Sequence, residues 1–234
     1  MRRGEATLRQ RFERLRRFEA DFDHAAWSSG RLAGVDEAGV GPLAGPVVAA
    51  AVILPPEFDL PEVFDSKQMT PSERARCATE IRARALAFGV SRVSPQRIDR
   101  VNVARAMRAA PRRALAALGV RPQAVLVDGR FVPRLPVGFE SVRVQAVVRG
   151  DGLSLVVAAA SVVAKVSRDR IMMRLDRRYP GYGFAQHKGY GTLEHREALR
   201  RLGLSPVHRR CFCSFLEAEA AAARQGTLEF PAPP

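Results

Sequence analysis

At 234 residues and 47% apolar content the chain can bury a complete core, which excludes a disordered polymer and leaves room for one domain with a small appendage. Its 38 Lys and Arg against 24 Asp and Glu give a net charge of +14, so nucleic acid is the leading partner class; a basic surface without a binding role is the alternative. The longest apolar stretch, residues 42–54, is too short and too interrupted by proline to span a membrane.

In chain order, residues 5–26 place Leu8, Phe12, Leu15, Phe18 and Phe22 at helical spacing, predicting an amphipathic helix on the main body with a solvated arginine-rich face. From Leu32 to Leu54 two strand-like runs flank a glycine and proline turn, and the run from Val47 is apolar enough for a central strand. Thr70 is the natural N-cap, and Glu73 its capping-box partner, for a helix from Pro71 to about Ala87. Phe88–Val93 reads as a strand, and Ser94-Pro95 opens a helical stretch to Leu118 that Pro111 must kink or split. Ala124–Val127 is a strand finishing at Asp128-Gly129, and Val142–Val148 is another finishing at Arg149-Gly150-Asp151. Leu153–Arg178 reads as a long helix through the domain, Tyr179–Thr192 as a glycine-rich loop, and Leu193–Leu202 and Glu217–Arg224 as short helices. The expected class is therefore α/β, with a mixed sheet because residues 33–54 form a hairpin.

Asp36 and Glu37 close one strand-like run and are followed at once by Gly39, Gly41 and Gly45. An adjacent carboxylate pair near a core strand needs compensating cations or solvent, and a hard divalent ion would supply that compensation. Strand alternation sends the two side chains to opposite faces, so they reach one site only if the strand ends between them and the chain turns. Asp128 and Asp151 also fall at strand ends, where open α/β folds place their sites, although each alone is a common turn residue. Four such acids select Mg²⁺ or Mn²⁺ over zinc, and two ions about 4 Å apart would activate water and stabilise a leaving phosphate oxygen.

Ser161, Lys165 and Arg168 share one helix face at i, i+4 and i+7, aimed at substrate phosphates or the acids, or else solvated and paired with Asp169. A Ser/Lys acyl-transfer dyad does not fit the S-x-x-K spacing. Lys67, Lys165 and Lys188 are the only lysines, which suits places where a compact ammonium is needed. His187, His195 and His208 read as phosphate contacts or packing groups. Cys77, Cys211 and Cys213 lack a second ligand pair at zinc spacing, and the N-terminus has no apolar leader core, so a reduced, cytoplasmic monomer is expected.

The segments Leu32–Val48, Asp65-Ser66-Lys67, Val125–Arg130, Arg149–Ser154, Ala158–Arg170 and Tyr179–Thr192 together resemble ribonuclease HII, in the right order over roughly residues 30–215. The resemblance implies a ribonuclease H-like fold with a helical C-terminal region. It also implies a metal-dependent endonuclease that cuts RNA in RNA/DNA hybrids and at ribonucleotides embedded in duplex DNA. Carried over by position, Asp36, Glu37, Asp128 and Asp151 would be the metal-binding acids and Tyr190 the aromatic on the sugar beside the ribonucleotide. Ser161, Lys165, Lys67 and Lys188 fall in segments near the substrate. The implied layout is an N-terminal extension at 1–30, a catalytic domain at 31–178, C-terminal loop and helices at 179–224, and a mobile tail at 225–234.

One position departs from the family pattern, which has Gly-Arg-Gly where this chain has Gly39-Val40-Gly41. The loop's glycine backbone can still contact the 2′-hydroxyl, while Val40 removes a cation and its phosphate contact. In the tail, Gln225, Leu228 and Phe230 form a Q-x-x-L-x-F pattern similar to peptides that dock on bacterial sliding clamps, against a featureless tail as the alternative. Among rival functions, a dinucleotide oxidoreductase fails because Gly39, Gly41 and Gly45 are misspaced and adjacent acids would repel the pyrophosphate. A non-catalytic nucleic-acid-binding module explains the charge but not the acids.

Overall fold

The computed structural model describes residues 3–60, 63, 69–216, 218 and 221. Lys67, most of the predicted helix 217–224 and the tail residues Gln225, Leu228 and Phe230 lie outside the described residues.

Helix α1 (Arg3–Ser28) buries Phe12, Leu15, Phe22 and Ala26, the stripe its spacing predicts. Asp23 leaves helical geometry and its carboxylate accepts the Ala26 amide at 3.0 Å, so this acid breaks the helix and caps its last turn. The sheet contains β1 (Leu32–Ala38), β2 (Val47–Ile53), β3 (Ala87–Val93), β4 (Ala124–Asp128) and β5 (Arg143–Val147) in the order β3-β2-β1-β4-β5. β1, β2 and β3 pair antiparallel, whereas β4 lies parallel to both β1 and β5, so the sheet is mixed as the hairpin reading requires.

Two helical layers cover the sheet. On one face α1, α2 (Pro71–Arg84) and α5 (Leu155–Arg178) pack over Leu32, Ala50, Val52, Ala124 and Leu126. On the other, α3 (Pro95–Val101) and α4 (Val103–Ala116) cover Ala33, Val35, Val125 and Val127. A large apolar side chain buried this way contributes about 1.5–3 kcal/mol. A Cβ added to Gly34 of β1 would lie 2.1 Å from the Val156 carbonyl carbon, so α5 rests directly on that strand because position 34 has no side chain. Thr70 and Glu73 form the expected reciprocal capping box on α2, which ends at Arg84 because Ala87 already belongs to β3.

The helical stretch after β3 splits at Asn102, not at Pro111. Asn102 takes φ 64° and its side chain accepts the Arg105 amide at 3.0 Å, capping a new helix. Pro111 is buried inside α4 without ending it. The predicted glycine-rich loop contains a short helix, α6 (Phe184–His187), before α7 (Leu193–Leu202). A third apolar cluster, including Leu43, Met172, Phe184 and Leu199, fastens this C-terminal region to the turn after β1 and to α5. Among the described residues no helix is long and apolar enough to cross a membrane.

Candidate active site

β1 runs on through Glu37 to Ala38, paired with β2, so the strand does not end between the two acids as the alternation argument requires. They meet for another reason. The parallel rungs between β1 and β4 stop at Val35 opposite Val127, and β4 itself ends at Asp128. Asp36, on the α5 face, and Glu37, on the α4 face, therefore reach the same gap past the end of the shorter strand. Asp36, Glu37 and Asp128 line one cavity of about 420 Å³ with Gly39, Val40, Gly41, Ser161, Lys165 and Tyr190.

The acids destabilise one another's charge. Burial, then repulsion from Asp128 and Glu37, holds the Asp36 carboxyl well above the ordinary aspartate range, against hydrogen bonds from Ser161 and the Glu37 amide. Burial and then Asp128 push Glu37 up to about 7. Asp151 lies in the 3-10 turn Gly150–Gly152, joined to the group through the Gly150 amide, which donates to Asp128 Oδ1 at 2.7 Å. Among the described residues no three His, Cys, Asp or Glu side chains close around one point as a ready ion cage. The donor chemistry nevertheless fits a hard divalent cation: oxygen ligands only, with like charges awaiting compensation.

Two buried arginines support the glycine turn. Arg209 donates from Nε to Gly45 O at 2.9 Å, from Nη1 to Val40 O at 2.7 Å and from Nη2 to Gly39 O at 2.5 Å. Arg168 donates to Pro46 O and Ala44 O, both at 3.1 Å. A Cβ at Gly39, where φ is +87°, would sit 1.9 Å from Arg168 Nε, so only glycine fits there. A trans peptide points its C=O and N–H in opposite directions. With the Gly39 and Val40 carbonyls held by Arg209, the Val40 and Gly41 amides point away from that guanidinium.

Behind Tyr190 a relay of histidines fixes the backbone. The Ser205 amide donates to His208 Nδ1 at 2.9 Å, the His195 and His208 Nε2 atoms are 3.0 Å apart, and His195 Nδ1 reaches Tyr190 O at 2.8 Å. The set is satisfied with both rings neutral, each a donor at one nitrogen and an acceptor at the other. Burial lowers both rings to about 4. None of the three histidines in this region lines the acid cavity.

Lys165 pairs with Asp169 at 3.0 Å while lining the cavity, and Tyr190 is 45% exposed there. Lys188 donates to Ala185 O and lines the adjoining cavity instead. Arg168, read from spacing as sharing the Ser161 face, is fully buried beneath the loop. Arg209 was not singled out by any motif. Glu19 also escaped notice, although an acid four residues after Leu15 and three before Phe22 stands on the apolar stripe of α1. It is buried and accepts from Ser154 Oγ and the Val156 amide, both at 2.7 Å, which seats the start of α5 just after Asp151.

The family model described as Ribonuclease HII matches residues 33–215. A Geobacillus kaustophilus protein named Ribonuclease HII is 50% identical over 90% of this chain and 78% of its own length. One of that name from Geobacter sulfurreducens is 50% identical over 82% and 87%. Among solved structures, a ribonuclease H2 from Pyrococcus horikoshii has a TM-score of 0.66 at 28% identity, covering 80% of this chain and 97% of that one. A PCNA:RNase HII complex from Archaeoglobus fulgidus gives 0.64 at 29%, covering 78% and 94%.

Proposed function

Because the chain belongs to the ribonuclease HII family, and is thus an RNA-hydrolysing nuclease, we propose that it is a metal-dependent endonuclease cutting RNA/DNA hybrids and single ribonucleotides in duplex DNA. The observation that carries this reading is the convergence of Asp36, Glu37 and Asp128 in one cavity beside the glycine turn and Tyr190. Asp36, Glu37, Asp128 and Asp151 are the proposed holders of Mg²⁺ or Mn²⁺, which when bound would acidify the attacking water and neutralise charge building on the phosphate.

The remaining steps belong to the protein. Ser161 keeps the Asp36 carboxylate oriented through its hydrogen bond. The Val40 and Gly41 amides donate to the ribose 2′-hydroxyl or its phosphate, the group that separates RNA from DNA. Tyr190 stacks on the neighbouring sugar, and Lys165 adds positive charge beside the phosphate. Lys188 and Lys67 are proposed to hold phosphates farther along the strand.

The test is nicking of a DNA duplex carrying one ribonucleotide, with an all-DNA duplex as control. Cutting at the ribonucleotide, abolished by chelation and reduced at least about 100-fold in Asp36→Asn, is expected. Binding without cutting in Mg²⁺ or Mn²⁺ would leave a binding module in its place. We also propose that Gln225, Leu228 and Phe230 dock on a sliding clamp; pull-down by a clamp that survives deletion of residues 225–234 would end that idea.

A further inference from the structure

A second cavity, of about 670 Å³, lies between the β3 edge, α2 and the second half of α5. Arg82, Arg92, Arg170, Arg174 and Arg177 line it, and no carboxylate does. Among the described residues no ion pair joins any of these five to an acid. Arg170, Arg174 and Arg177 stand at i, i+4 and i+7, so like charges are stacked on one helix face, an arrangement that weakens an isolated helix. Arg82 reaches Ser167 Oγ at 2.8 Å, yet its buried Nε has no acceptor. Burial and the nearby Arg170 pull its guanidinium below the ordinary value.

This cleft and the acid site are neighbours along α5. An intermediate cavity of about 470 Å³ shares Lys165 and Tyr190 with the acid cavity and Arg170 and Met173 with the arginine cleft. Repelling cations kept together without counter-charge indicate an anionic ligand, and a row of adjoining cavities that ends at a nuclease site indicates which one.

We infer that the arginine cleft is a distal docking site for the sugar-phosphate backbone of the substrate duplex, entered along α5 from the cut. The inference rests on the nuclease reading above. Lys165 and Arg177 are separated by twelve residues, about 18 Å of helix, which matches about five base pairs of duplex at about 3.4 Å each. Duplexes reaching well past that distance on the correct side should gain from the cleft, and shorter ones should not.

The experiment uses the full chain and Arg92→Glu/Arg174→Glu/Arg177→Glu, with the corresponding Arg→Gln triple as a milder version should charge reversal disturb folding. Duplexes carrying one ribonucleotide extend ten or more base pairs on both sides, or are cut back to three on one side or the other. On the long duplex KM should rise about tenfold or more in the variant, and the slope of log KM against log salt should fall by about 2 to 3. On one of the truncated duplexes the difference between the proteins should narrow. Equal KM and salt slope on the long duplex overturn the docking site, as does a loss of the same size on all three duplexes. Anisotropy of the long duplex in chelator reads docking without catalysis. A protein that binds through the cleft but cuts nothing in Mg²⁺ or Mn²⁺ would retain the docking site and sink the nuclease reading. Inorganic tripolyphosphate is the further arm, and a variant-dependent loss seen with it but not with duplex overturns the assignment to nucleic acid.

Discussion

Two polar regions flank the glycine turn, and they are built on opposite plans. On one side burial and the neighbouring Asp128 raise the affinity of Asp36 and Glu37 for protons. On the other, Arg168, Arg209 and the His195–His208 relay are buried with backbone carbonyls and amides as partners. The first carries electrostatic strain that an ion relieves; the second fixes shape. Stability and activity should therefore respond in opposite senses to mutations in the two regions.

The largest effect is expected from Asp36→Asn, which should lose at least about 100-fold in activity. In chelator, urea denaturation should show it more stable by about 1 kcal/mol, because the buried carboxyl that its neighbours repel is replaced by a neutral amide. A marked loss of stability there would erase the distinction between the regions. Arg209→Met should behave the other way, losing about 3 kcal/mol or more, since two buried carbonyls and one part-buried carbonyl lose their donor at about 1–3 kcal/mol each. Denaturation that matches the unaltered protein would show that the loop does not depend on it.

Next in size is the pH response. His195 and His208 have folded values of about 4 against 6.5 in the unfolded chain, so the unfolded state binds more protons between those limits. Their contribution falls as pH drops from 6.5 toward 4, by on the order of 3 kcal/mol for the coupled pair. Glu37 runs in reverse. Its folded value of about 7 against 4.5 makes the folded state the better proton binder, so stability is lost as pH rises from 4.5 to about 7. Urea midpoints from pH 4.5 to 7.5 should show the second slope shrink in Glu37→Gln, with Glu19 and Asp36 supplying what remains, and the first shrink in His195→Gln, with His208 supplying the rest. A profile unchanged by either substitution would refute both assignments. The smallest effect is expected at Val40. Val40→Arg should improve KM on a single-ribonucleotide duplex several-fold with kcat little changed, because it adds one phosphate contact. Identical kinetics would show that the loop's recognition does not use that position.

Much of the fold was legible because local rules decide it. The hairpin, the Thr70 capping box and helix Leu193–Leu202 all follow from short-range patterns. The break at Asn102 was not, since Pro111 is the stronger breaker by intrinsic preference, while a side-chain cap nine residues earlier prevails. In the site, the acids could be found from their positions at strand ends, but not the reason Asp36 and Glu37 meet. That depends on β4 being short, a property of a different strand. Arg209 was invisible because its partners are backbone carbonyls at residues 39, 40 and 45, which no side-chain motif encodes.

Glu19 adds a consequence for the order of assembly. Its hydrogen-bond partners lie 135 and 137 residues later in the chain. During synthesis α1 is made well before α5, yet it has nothing to dock its acid against until Ser154 and Val156 exist. In water the carboxylate is ionised, which keeps an otherwise apolar helix stripe soluble while it waits. Only on docking does burial raise Glu19 to about 7. α1 is thus locked long after it is made, and its locking seats the helix that starts beside Asp151.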